Sequence, residues 1–162
     1  MAQPTFAPEV EAAFKQMNSL GATSDFLVTG FRSGTTVMEL VEAGMGGMAR
    51  VVQILSEQFQ DKIGVAVFRV TAVDDRGVTV SYRTKIIHVI YSGPGAPRMQ
   101  RAKVASSVGA LKGSFSANMG IQTDDVTDLD PAAIEKSLRA AGGAHQPTSF
   151  DFTNTPPPPH SS

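Results

Sequence analysis

The 162 residues contain no cysteine. Disulfide staples, thiolate metal sites and cysteine nucleophiles are therefore excluded, and the chain suits a reducing compartment. No stretch of about 18 apolar residues occurs, so no membrane-spanning helix is expected. The opening "MAQPTFAPEV" has neither the basic nor the apolar segment of a secretory leader, and none is expected there. Several catalytic signatures are missing too: there is no G-x-S-x-G elbow, no H-E-x-x-H and no G-x-x-x-x-G-K-[ST] phosphate loop. His88, His145 and His160 do not cluster at metal-ligand spacing. His88 falls in a strand pattern and reads as structural. Asp74 and Asp75 belong to a turn rather than to an acid–base pair. Neither chemistry nor a cofactor is expected.

One further absence is local. From Arg83 to Thr123 the chain carries six Lys or Arg and no acidic residue, although its formal net charge is −1. Asp124, Asp125, Asp128 and Asp130 follow at once. Overall charge says nothing about a partner, but this segregation does. A solvated basic face is the plain alternative.

With 41% hydrophobic and 18% charged residues, the composition fits one globular domain, placed at residues 1–143. Residues 144–162, "AHQPTSFDFTNTPPPPHSS", lack periodicity and are rich in Pro, Ser and Thr, which predicts a disordered tail. Its "TPPPPH" could serve as a weak polyproline ligand of a proline-reading domain.

Val10, Ala13, Phe14 and Met17 recur at helical spacing and predict a helix over 8–20 with Gly21 as its stop. "DFLVTGF" and "TTVMELV" read as strands around an "RSG" turn, the second with some helical character. A second helix over 46–59 buries Met48, Val51, Val52, Leu55 and Phe59. "GVAVFRVTAV" (64–73) and "VTVSYRTKIIHVIY" (78–91), joined by "DDRG", predict an antiparallel hairpin. A short strand is placed at 119–122. The last helix is capped by Asp130, begins at Pro131 and closes at Gly142–Gly143. The order α-β-β-α-β-β-α-β-α predicts a mixed α+β fold, a mixed sheet flanked by helices.

"GMGGMA" (44–49) matches the G-x-G-x-x-[GA] dinucleotide fingerprint and opens a helix, so a small nucleotide-binding protein is one alternative. Against it stands the hairpin that "DDRG" imposes on the next connection.

"GAPRMQRAKVASSVGALKG" (95–113) carries Arg98, Arg101, Lys103 and Lys112 on one predicted long helix. At 100° per residue Val104, Val108, Leu111 and Phe115 form its buried stripe. Arg101 and Lys112, about three turns apart, lie along one edge with Arg98 just outside. Lys103 projects elsewhere. Gly109 and Gly113 would bend the helix near its end. Arg83 and Lys85, two apart in the preceding strand, share a side. Such a basic edge suits an acidic protein surface or an anionic phosphoinositide. Only Tyr82 and Tyr91 accompany these cations, so single-stranded nucleic acid is not expected.

These residues carry a family resemblance. Ala96-Pro97, then seven residues, then Ala105-Ser106-Ser107 and Ala110-Leu111-Lys112 is similar to the stretch entering the long third helix of the actin-depolymerising-factor homology (ADF/cofilin) family. Lys85-Ile86-Ile87, Gln100-Arg101-Ala102-Lys103 and Ala140-Ala141-Gly142-Gly143 resemble its coactosin-like members more closely. The resemblance implies a central mixed sheet of about five strands with helices on both faces and a long basic third helix. It also implies a cytoplasmic, cytoskeletal, non-enzymatic protein that binds actin, filaments in preference to monomer. Carried over by position, Lys85, Arg101 and Lys112 are the foremost actin contacts, with Arg83, Arg98 and Lys103 after them. Met99 stands where cofilin-type members have the first of two basic residues, and "MAQPTF" lacks their regulatory serine. Severing and monomer sequestration are not carried over.

Overall fold

A computed structural model describes residues 4–18, 22–143 and 146–154, except for the side chains of Leu111, Lys112 and Ser114. The Gly21 stop and the "TPPPPH" segment lie outside the described residues.

The centre is a long hairpin, β4 (Ile63–Asp74) and β5 (Ser81–Ser92), paired antiparallel without a break over its whole length. β-Branched and aromatic side chains fill both strands, and the inner half of β4 is buried on both faces. β2 (Phe26–Phe31) lies antiparallel beside β4, and β3 (Val37–Gly44) antiparallel beside β2. On the other edge β6 (Met119–Thr123) runs parallel to β5. Two short strands complete seven: β1 (Thr5–Phe6), parallel to β3, and β7 (Ser149–Asp151), antiparallel to β4.

The count exceeds the expected five because β1 and β7 are only two and three residues long. Such segments are strands by virtue of the edge they pair with and leave almost no periodic signal. For β7 the difference corrects the expected tail, since residues 149–151 belong to the sheet.

Alternation along β4 and β5 divides the core. One face carries Ala66, Phe68, Val70, Ile87 and Val89 against α2 (Gly47–Gln58) and α5 (Pro131–Ala141). The other carries Val65, Val67, Ile86 and Ile90 against α1 (Pro8–Met17), α3 (Arg98–Ala105) and the region of α4 (Val108–Ser114). Helices cover both faces. Pro8 and Pro131 open their helices, and the Asp130 carboxylate accepts from Ala133 N at 3.1 Å, whereas Pro97 is the N-cap of α3 rather than its first residue.

The predicted long third helix is instead two helices. The break falls at Ser106–Ser107, before Gly109. Both serine hydroxyls donate to the Lys103 carbonyl at 2.9 Å, and Ser107 N turns to the Val104 carbonyl at 3.0 Å. Ser107 N would have bonded Lys103 O in a continuing helix. Serine back-bonding therefore ends the ladder there. Val104 and Phe115 are buried as the stripe required, while Val108 is half-buried.

Candidate functional site

The glycine loop joins β3 to α2 as a nucleotide fingerprint would, and the head of α2 holds an anion. That anion is the chain's own. Gly46 N and Gly47 N donate to Asp25 Oδ1 at 3.1 and 2.8 Å, and Asp25 is 1% exposed. Its Oδ2 accepts from Asn154 Nδ2 at 2.8 Å. Asn154 Nδ2 also donates to the Arg69 carbonyl at 2.7 Å, and Asn154 Oδ1 accepts from Thr71 Oγ1 at 2.8 Å. The Arg69 side chain, equally buried, donates to the Met17 carbonyl at 2.9 Å. Burial holds the Arg69 guanidinium below its ordinary range, and the nearby Asp25 charge offsets only part of that.

The glycines answer to this arrangement. Gly47 has φ +55°, and a Cβ there would lie 2.8 Å from the Phe152 carbonyl oxygen. A phosphate would have to displace Asp25 from the helix N-terminus. The nucleotide alternative is not favoured.

The basic residues fall into two groups. Arg83 and Lys85 pair opposite Ala72 and Val70 in the outer half of the hairpin. They share parity with Ile87, which places them on the α2/α5 face of the sheet. Pro147, Asp74 and Ser81 line a shallow cleft with them. Arg98, Arg101 and Lys103 lie on α3, across the sheet. The strand and helix cations thus form two groups on opposite faces of the sheet, because β5 presents its odd positions away from α3. Lys112 lies on α4, its side chain outside those described.

Ion pairing divides the arginines. Arg32, Arg50, Arg76 and Arg139 each hold an acidic partner: Glu39, Glu42, Asp74 and Glu135. Among the described residues Arg83, Lys85, Arg98, Arg101 and Lys103 form no ion pair; Arg83 and Arg98 are exposed, and the other three half-buried.

Arg101 is occupied differently. Its Nε donates to the Ala96 carbonyl at 3.2 Å and its Nη2 to those of Gly93 and Pro94 at 2.8 and 2.9 Å. It fastens the loop that carries the chain from β5 into α3. Arg101→Ala is expected to lower the unfolding free energy by about 1–3 kcal/mol. Arg101→Lys would not restore it, because an ammonium lacks the planar fork. Urea denaturation checks both.

His88 is buried with its ring 5.8 Å from that of Phe115, as a structural histidine should be. Among the described residues no three His, Asp or Glu gather as a metal-binding group, and no helix is long and apolar enough to cross a membrane.

The family model for cofilin/tropomyosin-type actin-binding proteins matches residues 4–139. The chain belongs to this family. Its fold is that of the coactosins. Entamoeba histolytica coactosin is 17% identical over 89% of this chain and 100% of that one, with a TM-score of 0.71. Human coactosin-like protein in solution is 20% identical over 92% and 97%, with a TM-score of 0.67. Mouse coactosin, described as an actin filament binding protein, is 20% identical over 89% and 95%, with a TM-score of 0.64. No curated protein sequence matches the chain. Residues 146–154, read in sequence as tail, lie outside the family match and supply Asn154 to the buried network. The alternation Phe150-Asp151-Phe152 was the available strand signal; both rings pack against the core on the α2/α5 face.

Proposed function

We propose that this protein binds actin filaments, in preference to monomer, and modulates their dynamics without catalysing a reaction. The direct contacts are Arg83 and Lys85 on the hairpin, with Arg98, Lys103 and Lys112 as a second group and Arg101 acting mainly through the loop it fastens. The observation that carries the reading is the run of cations without internal acidic partners, in a chain of an actin-binding family. An acidic filament surface supplies the missing charge, steers encounter and fixes register. Mouse coactosin, of the same fold, is an actin filament binding protein. On this reading the protein works in the cytoplasm on the cytoskeleton. The same cations would take an anionic phosphoinositide headgroup as a competitor.

Co-sedimentation with actin filaments at graded salt tests the proposal. Pelleting is expected at low ionic strength, falling as salt screens the exposed charges. Absence of pelleting even at low salt would reduce the family relation to one of fold.

A further inference from the structure

The outer half of the β4–β5 hairpin depends on the C-terminal segment. β2 pairs with β4 only across Gly64–Phe68, and β6 with β5 only across Ile87–Tyr91. Beyond these the hairpin continues through the pairs from Arg69↔Ile86 to Asp74↔Ser81, the stretch that carries Arg83 and Lys85. A two-stranded ribbon is marginal in water, and an unsupported one would not hold its cations in a fixed direction.

β7 supplies the third strand at that place. Thr71, Ala72 and Val73 pair with Asp151, Phe150 and Ser149, so Ala72 sits between Phe150 on one side and Arg83 on the other. At the neck, Thr148 N and Thr148 Oγ1 both donate to the Val73 carbonyl, at 2.7 and 2.9 Å. The same Oγ1 accepts from Asp75 N at 3.2 Å, where the strand leaves the sheet for the turn. The Arg76 side chain donates to the Gln146 carbonyl. The segment itself is anchored at both ends. Arg139 donates to the Pro147 carbonyl at 2.8 Å, with its guanidinium 5.1 Å from the Phe150 ring centroid, and Asn154 is tied into the buried network. Pro147 lines the cleft that holds Arg83 and Lys85.

We propose that residues 146–154 are a clamp that sets the direction of the actin-facing hairpin, with Thr148 as the positioning residue for Arg83 and Lys85. Thr148 touches neither cation; it acts through Val73 and Asp75. The inference rests on the actin reading for its functional half, whereas the clamp itself can be tested without actin.

The experiment uses the full chain as wild type, Thr148→Val, Thr148→Ser, Lys85→Ala and the Thr148→Val/Lys85→Ala pair. Filament co-sedimentation and amide exchange at Asp75 are read together, with folding checked by thermal melting. Valine keeps the shape but removes the hydroxyl, so about fivefold faster exchange at Asp75 and about fivefold weaker pelleting are expected. Serine restores both. The effect of Thr148→Val on pelleting shrinks in the Lys85→Ala background, because the two act through one contact. Unchanged exchange in Thr148→Val overturns the clamp. Faster exchange with wild-type pelleting, where Lys85→Ala does weaken it, overturns the positioning role. If the wild type itself does not pellet, the actin reading fails while exchange still decides the clamp.

Discussion

Replacing Asp25 by alanine is expected to lower the unfolding free energy by about 3–5 kcal/mol, measured by urea denaturation near neutral pH. The carboxylate accepts from Gly46 N, Gly47 N and Asn154 Nδ2, three donors that alanine cannot serve, the last two of them buried. Each orphaned donor costs about 1–3 kcal/mol, reduced where the site relaxes or admits water. The substitution also removes the negative charge that offsets burial of the Arg69 guanidinium. Asp25→Asn should fall between, because one oxygen still reaches the α2 N–H groups while its amide faces the Asn154 amide donor to donor. Asn154→Ala should be milder than Asp25→Ala, and the double variant less damaging than the sum, since both break one network. A loss below about 1 kcal/mol for Asp25→Ala would mean that the glycine loop is held by something other than this carboxylate.

Lys85→Glu should weaken filament binding by about 100-fold, whereas Lys85→Ala should weaken it about fivefold or less. Truncation removes one exposed contact, worth up to about 1 kcal/mol. Reversal instead sets a carboxylate against an acidic surface, and a penalty of about 3 kcal/mol corresponds to that 100-fold factor. Stability should barely change, since Lys85 is half-buried and no ion pair forms to it among the described residues. Arg83→Glu should behave alike, being two positions along on the same side of β5. Equal effects of alanine and glutamate would place Lys85 outside the interface.

What the sequence disclosed follows the range of each signal. Patterns repeated over many residues read correctly: the hairpin from its β-branched runs and "DDRG", α5 from Asp130-Pro131, and α2 from its apolar stripe. The family resemblance rested on local residue order around Ala105-Ser106-Ser107 and Ala140–Gly143, and the family match over 4–139 agrees with it. The same serines hid the helix break, because hydrophobic spacing continues through Val104 and Val108 while the backbone turns to a tighter bond. β7 was obscured by Pro147 just before a three-residue strand and the proline run after it. The role of the glycine loop needed Asp25 and Asn154, separated by 129 positions along the chain, to meet at the head of α2. The division of the cations between two sheet faces was latent in the parity of 83, 85 and 87, and became visible once Ile87 was placed on the α2/α5 core.

Zero-length carbodiimide coupling to actin filaments, followed by mapping of the joined peptides, would locate the actin-facing surface. The reagent links a lysine amine to a carboxylate in direct contact, and the chain has six lysines: 15, 62, 85, 103, 112 and 136. Links are expected from Lys85 first, with Lys103 and Lys112 after it, all to acidic residues of actin and all suppressed by salt. Links confined to Lys15, Lys62 or Lys136 would contradict this and move the interface to another surface of the protein.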